Sequence, residues 1–213
     1  MSDRATVPRG RHAPPLEVRL SVQRRRLLEA AAAEFARSGY AEASAEAISR
    51  EAGMSKATFY EHFANKEECI LALFDVAATE VLRAMAEGAA AGGDDPLERL
   101  RGGVRAFLEI LAEHPNESQT LLVEIIGAGP RPAQRRDEVF ARFAAAIDAE
   151  NDAAAQAGTV GRLASRDDAY AIVGAVAELA SRQVRTGIPA DVRELEPVIE
   201  RLIVGLVAAP ARA

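Results

Sequence analysis

The sequence predicts an all-α protein with about nine helices: a small N-terminal domain with a helix-turn-helix pattern, then a larger helical bundle. The composition favours helix over strand, because alanine dominates, tryptophan is absent and aromatic residues make up only 5%. Apolar residues recur at helical spacing between Gly- and Pro-containing breaks. Within residues 44–66, two short helical segments are joined by a tight glycine-containing turn, which is the helix-turn-helix arrangement.

The chain begins with a Pro- and Arg-rich segment, residues 1–20, for which we expect a mobile basic tail. A solvated tail is the favoured interpretation, and an Arg-bearing arm that reaches the minor groove of DNA is the alternative. The first helix is predicted from about Ser21 to Ser38, with Gly39 ending it. Its apolar stripe contains Leu27, Leu28, Ala31 and Phe35.

The glycine-turned pair of helices carries the local signals that a helix-turn-helix needs. Ser44 and Ser55 suit the N-caps of the two helices, and Gly53 suits the left-handed residue that ends the first one. In the second helix, Phe59 and Phe63 are four residues apart and fall on one side. The opposite side presents a cation, a small residue and hydroxyls, which suit phosphate and base-edge contacts. By spacing alone, an ordinary helical hairpin with a solvated face is an equally good interpretation.

A family resemblance decides between these two interpretations. It rests on RLLEAAAAEFARSGY (Arg26 to Tyr40), AISREAGMSKATFYEHF (Ala47 to Phe63) and NKEECILALF (Asn65 to Phe74). Over residues 25–73 the chain resembles the DNA-binding domain of the TetR family of transcriptional regulators. The sequence departs from the family pattern at Ala43, Ser49 and Ala57, where the family usually has Thr, Ala and Gly.

The resemblance implies a helix-turn-helix DNA-binding domain over residues 21–66, whose second helix enters the major groove. It also implies that Lys66, at the start of the following helix, contacts a DNA phosphate. The residues that we expect at the DNA are Ser44, Ser55, Lys56, Ala57, Thr58, Tyr60, His62 and Lys66.

The distribution of charge along the chain is consistent with DNA binding by the N-terminal segment. The whole chain has a net charge of −6, but residues 1–66 hold 11 basic and 8 acidic residues. Residues 67–213 hold 15 basic and 24 acidic residues, so the positive charge is concentrated around the helix-turn-helix. Both lysines of the chain, Lys56 and Lys66, lie within the motif. An acidic remainder repels DNA and helps to orient the protein on it.

The rest of the chain, residues 67–213, is predicted to be a helical ligand-binding and dimerisation domain. The helix at 165–187 is apolar on two sides and must be covered twice. With the last helix it forms the expected two-fold dimer interface, as the family also implies, and a purely intrachain core is the alternative. The Gly102-Gly103 pair could serve close helix packing or ligand access. Helices are expected at about 66–88, 96–113, 116–126, 132–157, 165–187 and 196–208.

The family also implies a ligand pocket inside this bundle. Most candidates for its lining are apolar residues chosen by spacing, and each of them is more simply plain core. Two glutamates in apolar stretches, Glu124 and Glu178, could face a cationic or hydroxylated ligand, or could pair with an arginine such as Arg182. The candidate lining residues are Phe107, Leu111, Leu122, Ile126, Phe143, Ile147, Val173 and Glu178.

Other kinds of chemistry are not indicated. The three histidines share no metal-ligand spacing, and no phosphate-binding loop or catalytic serine motif is present, so we expect no enzyme, metal or cofactor. The single cysteine, Cys69, allows no intrachain disulfide and lies among apolar helix residues, where a buried position is expected. No apolar run is long enough for a membrane span and no signal peptide is recognisable, so a cytoplasmic protein is the simplest expectation.

Two functions fit this pattern. The first is a dimeric transcriptional repressor that a small, largely apolar ligand releases from a palindromic DNA operator. The alternative is a DNA-binding architectural or partner-recruiting factor that takes no small-molecule ligand.

Overall fold

The computed structural model describes residues 15–207, and over these residues every regular element is helical, which confirms the all-α prediction. The two ends, residues 1–14 and 208–213, lie outside the described part, and most of the predicted basic tail is among them. The last residues of that segment, 16–20, are not tail but the start of the first helix. Pro15 suits the entry to a helix, and no Gly or Pro interrupts the turns that follow it.

The described residues contain ten α-helices, one π-helical turn and one 3-10 turn. The π-turn divides the single helix that was expected at 116–126, which accounts for the difference from the expected number. The elements are α1 (Leu16–Glu42), α2 (Ala45–Glu51), α3 (Lys56–His62), α4 (Lys66–Ala91), α5 (Pro96–Glu113), α6 (Pro115–Gln119), the π-turn (Thr120–Glu124), α7 (Ile125–Gly127), α8 (Pro130–Gln156), α9 (Arg166–Thr186), the 3-10 turn (Val192–Leu195) and α10 (Glu196–Val207).

Helix α1 bends sharply at Gly39, where the backbone has φ 76° and ψ 159°. Glycine suits this position, because residues with a Cβ rarely adopt such a conformation. The straight part of α1 therefore ends where the sequence predicts, and the chain makes one further turn, up to Glu42, before it enters α2.

The first three helices enclose an aromatic and aliphatic core. Phe35 and Phe59 are fully buried and Phe63 is almost so, while Ile48 joins them from α2. Rings of this size contribute a large share of the apolar surface that a small domain can remove from water. This core is continuous with that of the larger bundle, so the described chain has one apolar interior.

Helix α4 connects the N-terminal domain to the bundle without a break. Its N-cap is Asn65, whose side chain accepts the Glu68 N–H at 2.9 Å. Its second half packs along α5, and the two helices cross at Gly88 and Gly102. A Cβ atom at position 102 would lie 2.1 Å from the Gly88 carbonyl oxygen, whereas one at Gly103 would meet the nearest atom at 3.5 Å. Close helix packing therefore explains Gly102.

The remaining helices close the bundle. Helix α8 packs against α9, and α10 lies against α5 and α9. Val139, Ile172 and Ile199 are among the buried side chains that these three helices contribute. None of the helices within residues 15–207 combines the length and apolar character that a membrane crossing requires.

Gly102→Ala is expected to lower the free energy of unfolding by about 1–3 kcal/mol, because the new methyl group meets the Gly88 carbonyl and forces α4 and α5 apart. Gly103→Ala, one residue along the same helix, is the matched control. Its methyl group has only ordinary contacts, and alanine stabilises a helix by about 0.5–1 kcal/mol relative to glycine. Urea unfolding measures both variants. Two variants of equal stability would contradict the close crossing.

Candidate DNA-binding interface and ligand cavity

Helix α3 is anchored from one side. Phe59 and Phe63 are buried beneath it, with ring centroids 5.5 Å apart. Its start is fixed by Ser55, whose hydroxyl oxygen accepts the Thr58 N–H at 3.0 Å. Rotation of the helix would expose two aromatic rings to water, so the direction of the opposite face is set by packing.

The opposite face of α3 is open to solvent. Lys56 and Ala57 are exposed, and Tyr60 is 51% exposed. Thr58 is half-buried, and its hydroxyl lies 2.9 Å from that of Ser55. A cation, a phenol and a small residue therefore share one rigid surface, which suits contacts to phosphates and base edges.

Two further DNA candidates lie beside this face in different roles. Ser44 is exposed and caps α2, accepting the Ala47 N–H at 3.1 Å. His62 is half-buried, with Nε2 3.4 Å from the side-chain oxygen of Gln23, and its carbonyl accepts a hydrogen bond from Arg24 at 3.2 Å. Burial and the charge of Arg24 lower the pKa of His62, while Glu61 acts in the opposite direction. The structure thus favours the neutral imidazole at the α1–α3 junction.

Lys66 is partly buried, and its side chain is held by the protein. Its ammonium group donates to the carbonyl oxygens of Tyr40, Ala41 and Ala43, at 2.6, 3.1 and 2.9 Å, and lies 4.3 Å from the centre of the Tyr40 ring. Burial lowers the pKa of Lys66, an effect that nearby Glu42 opposes. Three acceptors use the three N–H groups of an ammonium. The expected direct phosphate contact is therefore not available in this conformation, and Lys66 instead ties α4 to the corner between α1 and α2.

Two anchoring contacts were not predicted from the sequence, and one of them is made by Glu124, for which a ligand or an arginine was the expected partner. Arg26 donates to the Ala52 carbonyl at 2.9 Å, which joins α1 to the end of α2. Glu124, in the π-turn, accepts the Tyr40 N–H at 2.6 Å. Neither contact follows a local pattern, because the partners are 26 and 84 residues apart in the chain.

An apolar cavity of about 80 Å³ lies inside the bundle. Every side chain that lines it is apolar, and α4, α5, the π-turn, α8, α9 and α10 all contribute. Five of the candidate ligand residues are in this lining: Phe107, Leu122, Phe143, Ile147 and Val173.

The other three candidates lie elsewhere. Leu111 is buried but belongs to the core beside the cavity. The prediction for Ile126 is wrong: its side chain is 51% exposed, because the π-turn before it changes the helical phase. The prediction for Glu178 is also wrong, since its side chain is 68% exposed and pairs with Arg185 at 2.8 Å. Pairing of Glu178 with an arginine was the simpler alternative, but the arginine is Arg185 and not Arg182.

Sequence reasoning missed the part of the lining that α4 and α10 provide. Phe74, Val81 and Met85 come from α4, and Ile199 and Ile203 come from α10. Their apolar spacing was visible in the sequence, but a cavity wall and a filled core have the same apolar pattern. Only the three-dimensional packing leaves a gap between them.

A second, polar cleft of about 740 Å³ separates the N-terminal domain from α8. Ion pairs cross from α8 to α4 on its walls. Arg135 bonds to Asp75 at 2.7 Å, and Arg131 pairs with Glu67 and Glu68. The Glu68 carboxylate is therefore engaged with α8.

Comparison with known proteins agrees with this geometry. Residues 27–73 match the family model described as bacterial regulatory proteins, tetR family. Solved structures of this family extend the similarity to the bundle. The TetR family regulator PfmR from Thermus thermophilus is 23% identical, with a TM-score of 0.67 over 88% of this chain and 100% of its own.

Two regulators named FadR have the same fold. The fatty acid degradation regulator FadR from Bacillus halodurans is 20% identical, with a TM-score of 0.75 over 86% of this chain and 95% of its own. FadR from Bacillus subtilis, solved in complex with stearoyl-CoA, is 20% identical, with a TM-score of 0.76 over 86% of this chain and 98% of its own. These proteins are transcriptional regulators, not enzymes. Residues 27–73 are thus similar to the tetR family in sequence, and the fold of the described residues is shared with these solved regulators.

Proposed function

We infer that this protein is a dimeric transcriptional repressor that binds a palindromic operator through α3 and is released by a small, largely apolar ligand. The observation that carries the inference is the rigid exposed face of α3, held over a buried aromatic core within the segment that matches the tetR family. Lys56, Ala57 and Tyr60 are its central DNA contacts. Ser44, Ser55, Thr58 and His62 lie around them and complete the proposed surface.

Dimerisation is proposed through α9 and α10, within residues 165–187 and 196–208. Large apolar side chains stay partly exposed on these helices: Tyr170 is 39% exposed, Val198 39% and Leu206 43%. A two-fold partner would cover them and would place two copies of α3 on half-sites about one helical turn or more apart. The palindromic operator follows from this symmetry.

The apolar cavity is the proposed ligand site. Its volume of about 80 Å³ is well below the roughly 300–1,000 Å³ of typical ligand pockets, so a ligand must push the helices apart as it enters. Phe74 and Val81 place α4 in the cavity wall, and α4 begins at the DNA-binding domain. A ligand that favours the expanded state therefore lowers DNA affinity by its difference in binding free energy between the two states. The stearoyl-CoA complex of the Bacillus subtilis relative supports a long-chain acyl compound as the ligand class.

The small volume of the cavity also favours the second candidate, a DNA-binding architectural or partner-recruiting factor without a ligand. In that case the cavity is a packing defect, and α4 serves only as a rigid connection. The two candidates differ in whether an apolar compound changes the affinity for DNA.

Tyr60→Phe and Lys56→Ala are expected to act differently on DNA binding. Loss of the phenol O–H removes a phosphate contact and should weaken binding to all duplexes alike, whereas loss of the lysine should change which sequences are preferred. Duplexes selected from a random pool by each variant, with affinities measured by fluorescence anisotropy, test this. Glu150→Ala, at the far end of α8, is the control. Unchanged affinity and selection for both variants would contradict the role of α3.

Lys66→Ala is expected to lower the free energy of unfolding by about 1–3 kcal/mol, because three carbonyl oxygens at the α1–α2 corner lose their donor. DNA binding should weaken for all sequences, since the orientation of α2 and α3 is less well fixed. Lys56→Ala is the matched control: it also removes a lysine, but an exposed one, and should leave stability unchanged. If Lys66→Ala is as stable as Lys56→Ala, the capping role of Lys66 is wrong.

Saturated fatty acids and their CoA esters, in order of chain length, test the cavity. A compound present at 100 times its dissociation constant stabilises the native state by about 2.7 kcal/mol, which is seen as a rise in melting temperature. The same compound should lower operator affinity in anisotropy measurements. Val173→Phe fills part of the cavity and should abolish both effects. No shift with any chain length would favour the ligand-free candidate.

A further inference from the structure

The π-turn lies between the cavity and the DNA-binding domain. Leu121 and Leu122 line the cavity. Glu124 follows Leu122 by two residues, which places it on nearly the opposite side of a helical turn. Its Oε2 accepts the Tyr40 N–H at 2.6 Å, and its Oε1 accepts a hydrogen bond from Gln119 at 2.8 Å. One short segment therefore touches both the cavity and the end of α1.

The N–H group that Glu124 accepts comes directly after the bend in α1. Because Gly39 is not helical, Tyr40 follows a break in the regular pattern of helical hydrogen bonds and needs an acceptor from elsewhere. A Cβ atom at position 39 would lie 3.6 Å from the same Glu124 oxygen. The bend thus creates both the donor and the space that the carboxylate occupies.

The backbone carbonyl groups at the corner between α1 and α2 are bound by a second element, α4. Lys66, at the start of α4, donates to the carbonyl groups of Tyr40, Ala41 and Ala43. Glu124 and Lys66 therefore both belong to elements that line the cavity. The π-turn contributes Leu121 and Leu122 to the lining, and α4 contributes Phe74. An increase in the distance between α4 and the π-turn acts directly on the segment that leads into α2.

We propose that Glu124 is the positioning residue through which the state of the cavity reaches the DNA-binding domain. The proposal rests on the ligand response described under the proposed function. Entry of a ligand displaces Leu121 and Leu122, and the π-turn moves as a unit. Glu124 then releases the Tyr40 N–H, which lets α2 and α3 turn relative to the bundle. The carboxylate links the two domains by one hydrogen bond and makes no contact with DNA or ligand.

A double-mutant cycle tests the coupling in the full chain, with Val173→Phe as a substitute for the ligand, because it fills the cavity from α9. The DNA is a duplex selected from a random pool by the parent protein. We expect Val173→Phe to weaken DNA binding about tenfold in the parent and less than about threefold in Glu124→Ala. Glu124→Gln keeps an acceptor oxygen and should retain most of the response. Glu150→Ala loses an ion pair with Arg99 far from the corner and should retain all of it.

The outcomes separate the two proposals. If Val173→Phe weakens DNA binding equally with and without Glu124, the role of Glu124 is refuted while the ligand response stands. If Val173→Phe has no effect in the parent, the coupling between the cavity and Glu124 is refuted, whereas the ligand response is decided separately by the measurements with fatty acids and their CoA esters.

Hydrogen exchange at the Tyr40 amide gives a readout that needs no change at Glu124. This amide should exchange at least several-fold faster in Val173→Phe than in the parent, whereas the Ala47 amide, which is bonded to Ser44, should not change. Equal exchange of the Tyr40 amide in the two proteins would overturn the proposal.

Discussion

The hydrogen bonding of the corner between α1 and α2 is the constraint on which the rest of the structure depends. The bend at Gly39 sends the chain from a long helix towards α2 and α3, and it exposes backbone groups that must find partners. Glu124 takes the donor, and Lys66 takes three acceptors. Because these partners come from the π-turn and from the start of α4, the orientation of α2 and α3 depends on elements outside these two short helices.

The bundle is tightly packed where α4 crosses α5 and loosely packed around the cavity. Where α4 crosses α5, Gly88 and Gly102 bring the backbones so close that the helices cannot slide or separate without strain. Near the cavity, Phe74 and Val81 leave about 80 Å³ unfilled. A helix that is fixed at one end and loosely packed further along can change its tilt with little loss of contact. This combination suits a connection that responds to a ligand.

Surface charge adds orientation more than stability. Arginines on α8 pair with carboxylates near the start of α4, as in Arg135 with Asp75, and most of the ion pairs are solvent-exposed. Exposed pairs typically contribute about 0–1 kcal/mol each. Their effect is to define which faces of α4 and α8 lie together.

The sequence by itself determined the helices, the helix-turn-helix and the outward face of α3, because these depend on interactions between residues up to four positions apart, such as Phe59 with Phe63. Only the tertiary structure decided which apolar residues line a cavity, because core and cavity wall share one pattern. The tertiary structure also places the Lys66 ammonium group against backbone carbonyl oxygens, so it is not free. It leaves Ile126 exposed after the π-turn. Contacts between residues as distant in sequence as Tyr40 and Glu124 depend on how helices pack, which local patterns do not encode.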